Sequence, residues 1–379
     1  MEPPRVLLLY ATAGAGHRRA ADAVKYALQA RNAVAESVDA MSYIHPMFRR
    51  IYIGGGLSLI TRMPRVFGAF YRLTDRRWVD RLMRLPRYGT QRISARPLLR
   101  LIHRFAPDAV VCTHFLPAEL LAALRRLGRL SVPLYVAITD FEPHRIWEHS
   151  GVDRYFVSND QAARRLVEDG VSVESIHATG IPISIEFTRR FDRAALKMRL
   201  GLDPGRPLVL VTGGGLGAGS IEVIARAALP ALGRIQFAFV TGDNVGLRRQ
   251  LAQQEPALGW RVLGFVSNMH EWLAASDVAV GKAGGLTGSE MLAAGVPFVI
   301  PPGLHGHEDR NAEYLRRCGA AHVASSAQEA VDLALAIANR PDLAARMRAA
   351  AQRAARPRAA HAIAAIVMRE CIAAREVSV

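Results

Sequence analysis

Short apolar runs alternate with amphipathic stretches along this chain, and the alternation comes in two blocks. The first opens with residues 6–10 (VLLLY), a continuous apolar run of strand length. A turn of small residues to Gly16 follows, and then 18–30, where Ala20, Val24, Ala27 and Leu28 recur at helical spacing. The rhythm resumes with strands at 109–112, 134–138, 154–157 and 176–179 and helices at 117–127 and 160–169. The second block starts with the strand 208–211 (LVLV) and runs straight into GGGLGAGS at 213–220. It continues with a helix at 221–229, strands at 237–241 and 262–264, and a strand at 277–280. A glycine turn then opens a helix at 289–294, followed by a strand at 296–300 and a polar loop reaching Asn311. The tail from Ala327 is helical and is divided by Pro341 and Pro357. Continuous apolar strands between amphipathic helices predict parallel sheets covered on both faces. Two such blocks, each beginning strand, glycine turn, helix, predict an α/β protein of two Rossmann-like domains facing a central cleft. The expected division is 1–190, a linker at 191–207, a second domain at 208–355, and a last helix at 356–379 that crosses back to the first domain.

Composition agrees with this picture and narrows the setting. A length of 379 residues suits two domains, and 50% hydrophobic residues exclude global disorder. The three cysteines (Cys112, Cys318, Cys371) are far apart and lack CxxC spacing, which argues against a disulfide framework or zinc site and fits a reducing compartment. The apolar run at the N-terminus is too short for a secretory signal, and none approaches the roughly 18 residues of a spanning helix. A cytoplasmic protein, soluble or peripheral, is expected.

Charge adds one feature that periodicity does not show. The formal net charge is +16, and residues 45–105 hold fourteen arginines against Asp75 and Asp80 alone. Lysine occurs only at Lys25, Lys197 and Lys282, so part of the arginine excess is a chain-wide preference, but its concentration is not. Arg49, Arg50, Arg62, Arg65, Arg72, Arg76 and Arg77 are interleaved with apolar and aromatic residues such as Phe67. That mixture suits an anionic membrane surface. Phosphate neutralisation on a nucleic acid, or a plain solvated surface, are the other readings.

The candidate chemistry falls at strand ends. A glycine turn opening a helix gathers backbone N–H groups and the positive end of a dipole, which suits a phosphate. The turns at 213–220 (with Gly214 and Gly215) and 281–287 (with Gly285, Leu286 and Thr287) both have this form, and both are also compatible with ordinary α/β connections. Thr287 and Glu290 stand three apart, so both can meet one ligand, the threonine at a phosphate and the carboxylate at a pair of ribose hydroxyls. His17 follows Gly16 at the end of the first strand, where a histidine can serve as a general base or simply face solvent. In TDFEPHRIW (139–147), Asp140 can orient a histidine or accept a substrate hydroxyl, and His144 and Trp147 can shape an acceptor or sugar pocket. A capped turn with one packed tryptophan is the alternative. His305, His307 and Glu308 are metal-capable, but no further cluster accompanies them, so no metal is expected. Glu308, Asp309 and Asn311 suit sugar hydroxyls better.

Taken together, GAGHRRAADAV (14–24), TDFEPHRIW (139–147), VDRYFVSN (152–159), GIPI (180–183), GGGLGAGS (213–220), GFVSNM (264–269), KAGGLTGSE (282–290) and HEDRN (307–311) resemble glycosyltransferase family 28. The resemblance is to its monogalactosyldiacylglycerol synthase and processive diacylglycerol glucosyltransferase group, and it covers nearly the whole chain. It implies a GT-B fold and an inverting hexosyl transfer from a UDP-sugar to a lipid, diacylglycerol first, in glycolipid biosynthesis. Phe265 and Val266 match positions lining the base. Gly285, Leu286 and Thr287 match the diphosphate loop, Glu290 the ribose carboxylate, and His307, Glu308 and Asn311 the donor-sugar loop. His17 matches a catalytic histidine of related lipid-linked N-acetylglucosaminyl transferases, and with Asp140 it would deprotonate the acceptor hydroxyl. The arginine-rich segment matches a membrane and lipid-entry region. The family's donor loop commonly reads PGQE. Here a histidine replaces the glutamine, which leaves the sugar unassigned. The expected partners are a UDP-sugar donor, a lipid acceptor and the anionic inner face of the cell membrane, with no nucleic acid and no cofactor, the UDP-sugar being a substrate. A UDP-sugar 2-epimerase, an N-acetylglucosaminyl transferase and a non-catalytic membrane-binding protein with a vestigial nucleotide pocket are the alternatives.

Overall fold

The computed structural model describes residues 2–12, 15–44, 63–76, 79, 96–214, 221–253, 259–303 and 306–377, with the backbone alone at 64, 65, 67 and 377. The chain divides into two compact units. The first is Met1–Ser184 with His305–His307 and Arg358–Val379; the second is Ile185–Leu304 with Glu308–Pro357.

The first unit is built on β1 (Arg5–Tyr10), β2 (Val34–Asp39), β3 (Ala109–Cys112), β4 (Leu134–Ala137), β5 (Arg154–Phe156) and β6 (Ile176–His177). They pair in the order β2-β1-β3-β4-β5-β6, all parallel. Alternate residues face opposite layers, because successive side chains on a strand point to opposite faces. Leu7, Leu9, Val110, Cys112, Leu134 and Val136 pack with Leu98, Ile102, Leu120, Leu121 and Leu124 of the helices Arg96–Phe105 and Phe115–Arg126. Val6, Leu8, Ala109, Val111, Tyr135 and Ala137 face the other way. There they meet Ala21, Val24 and Leu28 of the helix Ala15–Gln29, together with Ile363, Ala364 and Val367 of the C-terminal helix Ala359–Val377. The C-terminal helix is therefore half of one layer of this unit. Glu370 fixes it, accepting from the Tyr135 hydroxyl and from Arg154 Nε, each at 2.7 Å.

The second unit repeats the plan with β7 (Leu208–Thr212), β8 (Gln236–Val240), β9 (Trp260–Leu263), β10 (Val278–Gly281), β11 (Phe298–Ile300) and β12 (Ala321–Val323), in the order β12-β11-β10-β7-β8-β9. β7 and β10 are neighbours, with Gly281 opposite Thr212. A Cβ on Gly281 would lie 2.5 Å from the Thr212 carbonyl oxygen, so only glycine fits there. Residues 191–207 fold into this unit. Asp192 caps the helix Arg193–Arg199, and buried Lys197 donates to Arg206 O at 2.7 Å and to Asp277 Oδ2 at 3.1 Å.

Several elements differ from the sequence reading. β2 (VAESVD) is too polar to stand out as an apolar run, and the helices Val245–Gln253 and Met269–Ala275 are short. The helix expected from 289 begins at Gly285: the glycine-rich turn is itself the first helical turn, whose N–H groups have no intrahelical acceptor. It ends as expected at Gly295, which takes the left-handed φ of 64°. The expected polar loop up to Asn311 is helical from His307. In the helix His307–Arg317, Glu308 and Asp309 lie in the first turn and Arg316 and Arg317 in the last, matching the dipole at both ends.

Candidate active site

In each parallel sheet the carboxyl ends of the strands share one edge, so the loops that follow them collect there. Each unit gathers a cluster of polar residues at that edge.

In the first unit the cluster centres on His17, half-buried in the first turn of the helix Ala15–Gln29. Its Nδ1 lies 2.7 Å from the Thr113 carbonyl oxygen and 3.1 Å from Thr139 Oγ1. A carbonyl only accepts, so this network assigns the proton to Nδ1 and leaves Nε2 with a lone pair. The Thr113 hydroxyl returns a bond of 2.8 Å to the His17 carbonyl. Burial pushes the imidazole pKa below its ordinary 6.5, while the Asp140 charge and the Thr113 bond pull the other way. His17 is therefore a neutral base at pH 7, beside a carboxylate that favours its protonated form. Asp140 is held in turn by Trp147 Nε1, which donates to Oδ2 at 3.2 Å. Trp147 is buried, with its ring centroid 6.3 Å from that of His17. The space beside Gly16 is open.

Thr113, His114 and Thr139 are the residues the sequence reading missed. The position of Thr113–His114 just after β3, matching Thr139–Asp140 after β4, was the available signal. His114 packs edge-on to His17 at 4.5 Å. Its Nδ1 accepts from Leu116 N at 3.0 Å and so caps the helix Phe115–Arg126. Burial holds its pKa well below the ordinary value, so it adds no charge beside His17.

His144, expected at an acceptor pocket, is engaged within the protein. Its Nδ1 accepts from Ile146 N at 3.0 Å, and Nε2 donates to the Tyr71 carbonyl at 2.9 Å. Tyr71 belongs to the helix Pro64–Thr74 of the arginine-rich segment. Asp75, which ends that helix, accepts from Arg145 N at 3.0 Å and from Arg165 at 2.7 Å. The helix is thus tied to the loop that carries Asp140 and Trp147. Asp169 completes the anchor by pairing with Arg145 and lying 3.6 Å from Arg165. Two arginines already balance Asp75 and Asp169, and buried Glu148 keeps its proton: burial and its bond to Asp169 push it up to about 8.

The same helix shows an unusual face. Val66, Phe70 and Leu73, one above another at helical spacing, are 49%, 47% and 43% exposed, and Met63 precedes them at 52%. Arg72 and Arg76 are exposed beside this stripe. Arg65 and Phe67 lie on the helix with only their backbone described, and Arg49, Arg50, Arg62 and Arg77 fall outside the described residues. Among the described residues no helix is long and apolar enough to cross a membrane.

In the second unit the β7–β10 pairing sets Gly214, just past β7, beside Lys282, the first residue after β10. Gly214 has a φ of 72° and donates to Thr212 Oγ1 at 3.2 Å; Gly215 lies outside the described residues. Gly284 caps the helix Gly285–Ala294, whose first turn carries no acid. Thr287 is half-buried, and Leu286 and Glu290 are buried on that helix. Lys282 donates to Glu308 Oε1 at 2.8 Å. Glu308 and Asn311, one turn apart, are buried in the helix that His307 opens, and His305 falls outside the described residues. Phe265 is 63% exposed just after β9, with Val266 half-buried beside it. With strands about 4.8 Å apart, the end of β9 lies roughly 10 Å from that of β7, a fitting offset between a nucleobase and its diphosphate.

Comparison with known proteins decides the family. Residues 17–183 match Monogalactosyldiacylglycerol (MGDG) synthase, and residues 208–363 match the Glycosyltransferase family 28 C-terminal domain. The chain belongs to glycosyltransferase family 28. Within it, the chain is similar to the processive diacylglycerol beta-glucosyltransferase of Bacillus cytotoxicus, 29% identical over 325 residues, 84% of this chain and 82% of that one. The corresponding protein of Staphylococcus carnosus is 30% identical over 238 residues, 62% and 60% of the two chains. The fold is also that of Acinetobacter baumannii MurG, with a TM-score of 0.61 at 17% identity over 97% of this chain and 100% of that one. The S. aureus MnaA–UDP co-structure gives 0.62 at 12% identity, over 95% and 94%. The two-sheet architecture of this family 28 member is the GT-B fold.

Two pH experiments follow. His17 must be neutral to accept a proton and its pKa is lowered, so the acid limb of kcat/KM should lie below pH 6.5. Asp140→Asn removes the charge that raises that pKa, so the limb should move to lower pH while the plateau rate falls. For stability, the unfolded chain releases the Glu148 proton near pH 4.5 and the folded chain only near 8. Stability should therefore fall as pH rises through that window, by about 1 kcal/mol per unit, and Glu148→Gln should flatten the dependence in urea titrations at several pH values.

Proposed function

We propose that this protein is an inverting glycosyltransferase that moves a hexose from a UDP-sugar to the hydroxyl of diacylglycerol, working peripherally at the inner face of the cell membrane. The observation that carries the transfer chemistry is His17, neutral, with Nδ1 fixed on the Thr113 carbonyl and Nε2 left to accept. His17 takes the acceptor proton as the acceptor oxygen bonds to the anomeric carbon. The bond from that carbon to the β-phosphate oxygen breaks, and its electron pair leaves with UDP. Asp140 stabilises the imidazolium. The β7 and β10 glycine turns, with the N-terminus of the helix Gly285–Ala294, supply amide dipoles to the diphosphate. Thr287 and Glu290 would hold phosphate and ribose, Phe265 and Val266 the base, and His307, Glu308 and Asn311 the sugar.

The lipid side of the reading is supported by the exposed apolar stripe Val66, Phe70 and Leu73, flanked by arginines and anchored through Tyr71 and Asp75 to the loop of Asp140. Such a face suits an interface of anionic lipid. The relatives' names point to glucose as the first sugar to test. A UDP-sugar 2-epimerase would leave the stripe without use, and a non-catalytic membrane binder would need no neutral histidine beside a carboxylate.

His17→Ala should lower kcat for UDP release from UDP-glucose with diacylglycerol by about 10²–10⁴-fold and leave UDP binding intact. A variant retaining near wild-type turnover would rule out His17 as the base. Replacing Phe70 and Leu73 by serine should weaken co-sedimentation with phosphatidylglycerol vesicles and leave the fold unchanged, since both side chains are already exposed. Equal sedimentation of wild type and variant would count against this face as the docking surface.

A further inference from the structure

We infer that Lys282 is a catalytic residue of the transfer: its ammonium binds the donor diphosphate and neutralises the charge that grows on departing UDP, and Glu308 is its counter-ion until the donor arrives. The inference rests on the donor reading above. Lys282 is the first residue after β10, whose last residue, Gly281, is aligned with Thr212 at the end of β7. Its Cε lies 3.2 Å from where a Cβ on Gly214 would sit. The lysine stem thus reaches from the turn after β10 to Gly214, just past the end of β7. Its Nζ rests 2.8 Å from Glu308 Oε1, and the lysine keeps a solvent-open side while Glu308 is only 5% exposed.

Composition supports a chosen residue. Of 49 basic side chains in this chain, three are lysines. Lys25 pairs with Asp22 on the surface at 3.3 Å, and Lys197 is a buried strut. Lys282 is the third.

The chemistry asks for such a charge. When the bond from the anomeric carbon to the β-phosphate oxygen breaks, its electron pair stays on that oxygen and UDP gains a full negative charge, while the acceptor proton goes to His17. A helix N-terminus offers only about half a positive charge, and the first turn of the helix Gly285–Ala294 has no charged side chain to add. Lys282 adds a full one. In exchange, Glu308 loses its ammonium partner and turns its oxygens to the sugar hydroxyls. Glu308 and the diphosphate therefore compete for Lys282, and that competition gives the two residues opposite signs in a binding experiment.

The test is titration calorimetry with UDP alone, alongside turnover of UDP-glucose with diacylglycerol. Lys282→Ala should weaken UDP by about tenfold or more and lower kcat by about 10²–10³-fold, with Lys282→Arg recovering part of the UDP affinity. Glu308→Gln should tighten UDP several-fold, roughly as expected for loss of a competing charge, while turnover falls. The double variant carries no unpaired buried charge and keeps the fold, and it should still bind UDP weakly. UDP affinity within about twofold of wild type in Lys282→Ala, or wild-type affinity in the double variant, would overturn the assignment. So would Glu308→Gln weakening UDP as Lys282→Ala does, since the pair would then be only structural. If wild type binds UDP but transfers to no lipid, the lipid acceptor fails and the UDP titrations still decide Lys282. If wild type binds no UDP, the donor reading and this inference fall together.

Discussion

The pairing of β7 with β10, with glycine at position 281, is the constraint on which the strand-end cluster of the second unit depends. A parallel pair whose last residues are Thr212 and Gly281 can form that pairing only where one of them has no side chain. With that pairing, Gly214 and Lys282, far apart in sequence, leave neighbouring strands at one sheet edge. Gly214 and Lys282 come into contact range, and the helix Gly285–Ala294 starts beside both. A Cβ at position 281 would meet the Thr212 carbonyl, so the backbone at the ends of both strands would have to shift.

A comparable economy governs the cluster around His17 in the first unit. The His17 ring is held by the Thr113 backbone carbonyl, with the Thr139 hydroxyl beside the same nitrogen, so its tautomer follows from where β3 ends at Cys112. Asp140 sits in a loop that is also the anchor of the exposed apolar helix. His144, Arg145 and Trp147, consecutive in effect, hold the helix with one end of the segment and Asp140 with the other. Buried charge is tolerated there because each arginine has a carboxylate within reach and Glu148 stays neutral. The exposed apolar helix and the Asp140 carboxylate therefore share one support.

Much of this was legible in the residues. Among the described residues, the twelve parallel strands show mostly as continuous apolar runs, because strands covered on both faces have no polar side to present. His17, Asp140 and the two glycine turns stood out because function at strand ends requires residue types that strand interiors exclude. The misses have equally plain causes. β2 carries Glu36 and Ser37 in its middle, and the helix from His307 is so polar that it reads as a loop. His144 looked like a pocket residue because a histidine that satisfies both ring nitrogens on backbone atoms has no local signature; its partner Tyr71 is 73 residues away.

The sequence by itself determined the fold class, the family and the kinds of residue at each strand end, since these follow from periodicity, glycine placement and motif, which are local properties. Only the tertiary structure decided that Asp75 is an anchor rather than a stray acid among arginines, that Trp147 holds Asp140, and that Lys282 faces Glu308. Those facts depend on which strand lies beside which. Strand order is fixed by packing over the whole sheet and is written in no short stretch of chain.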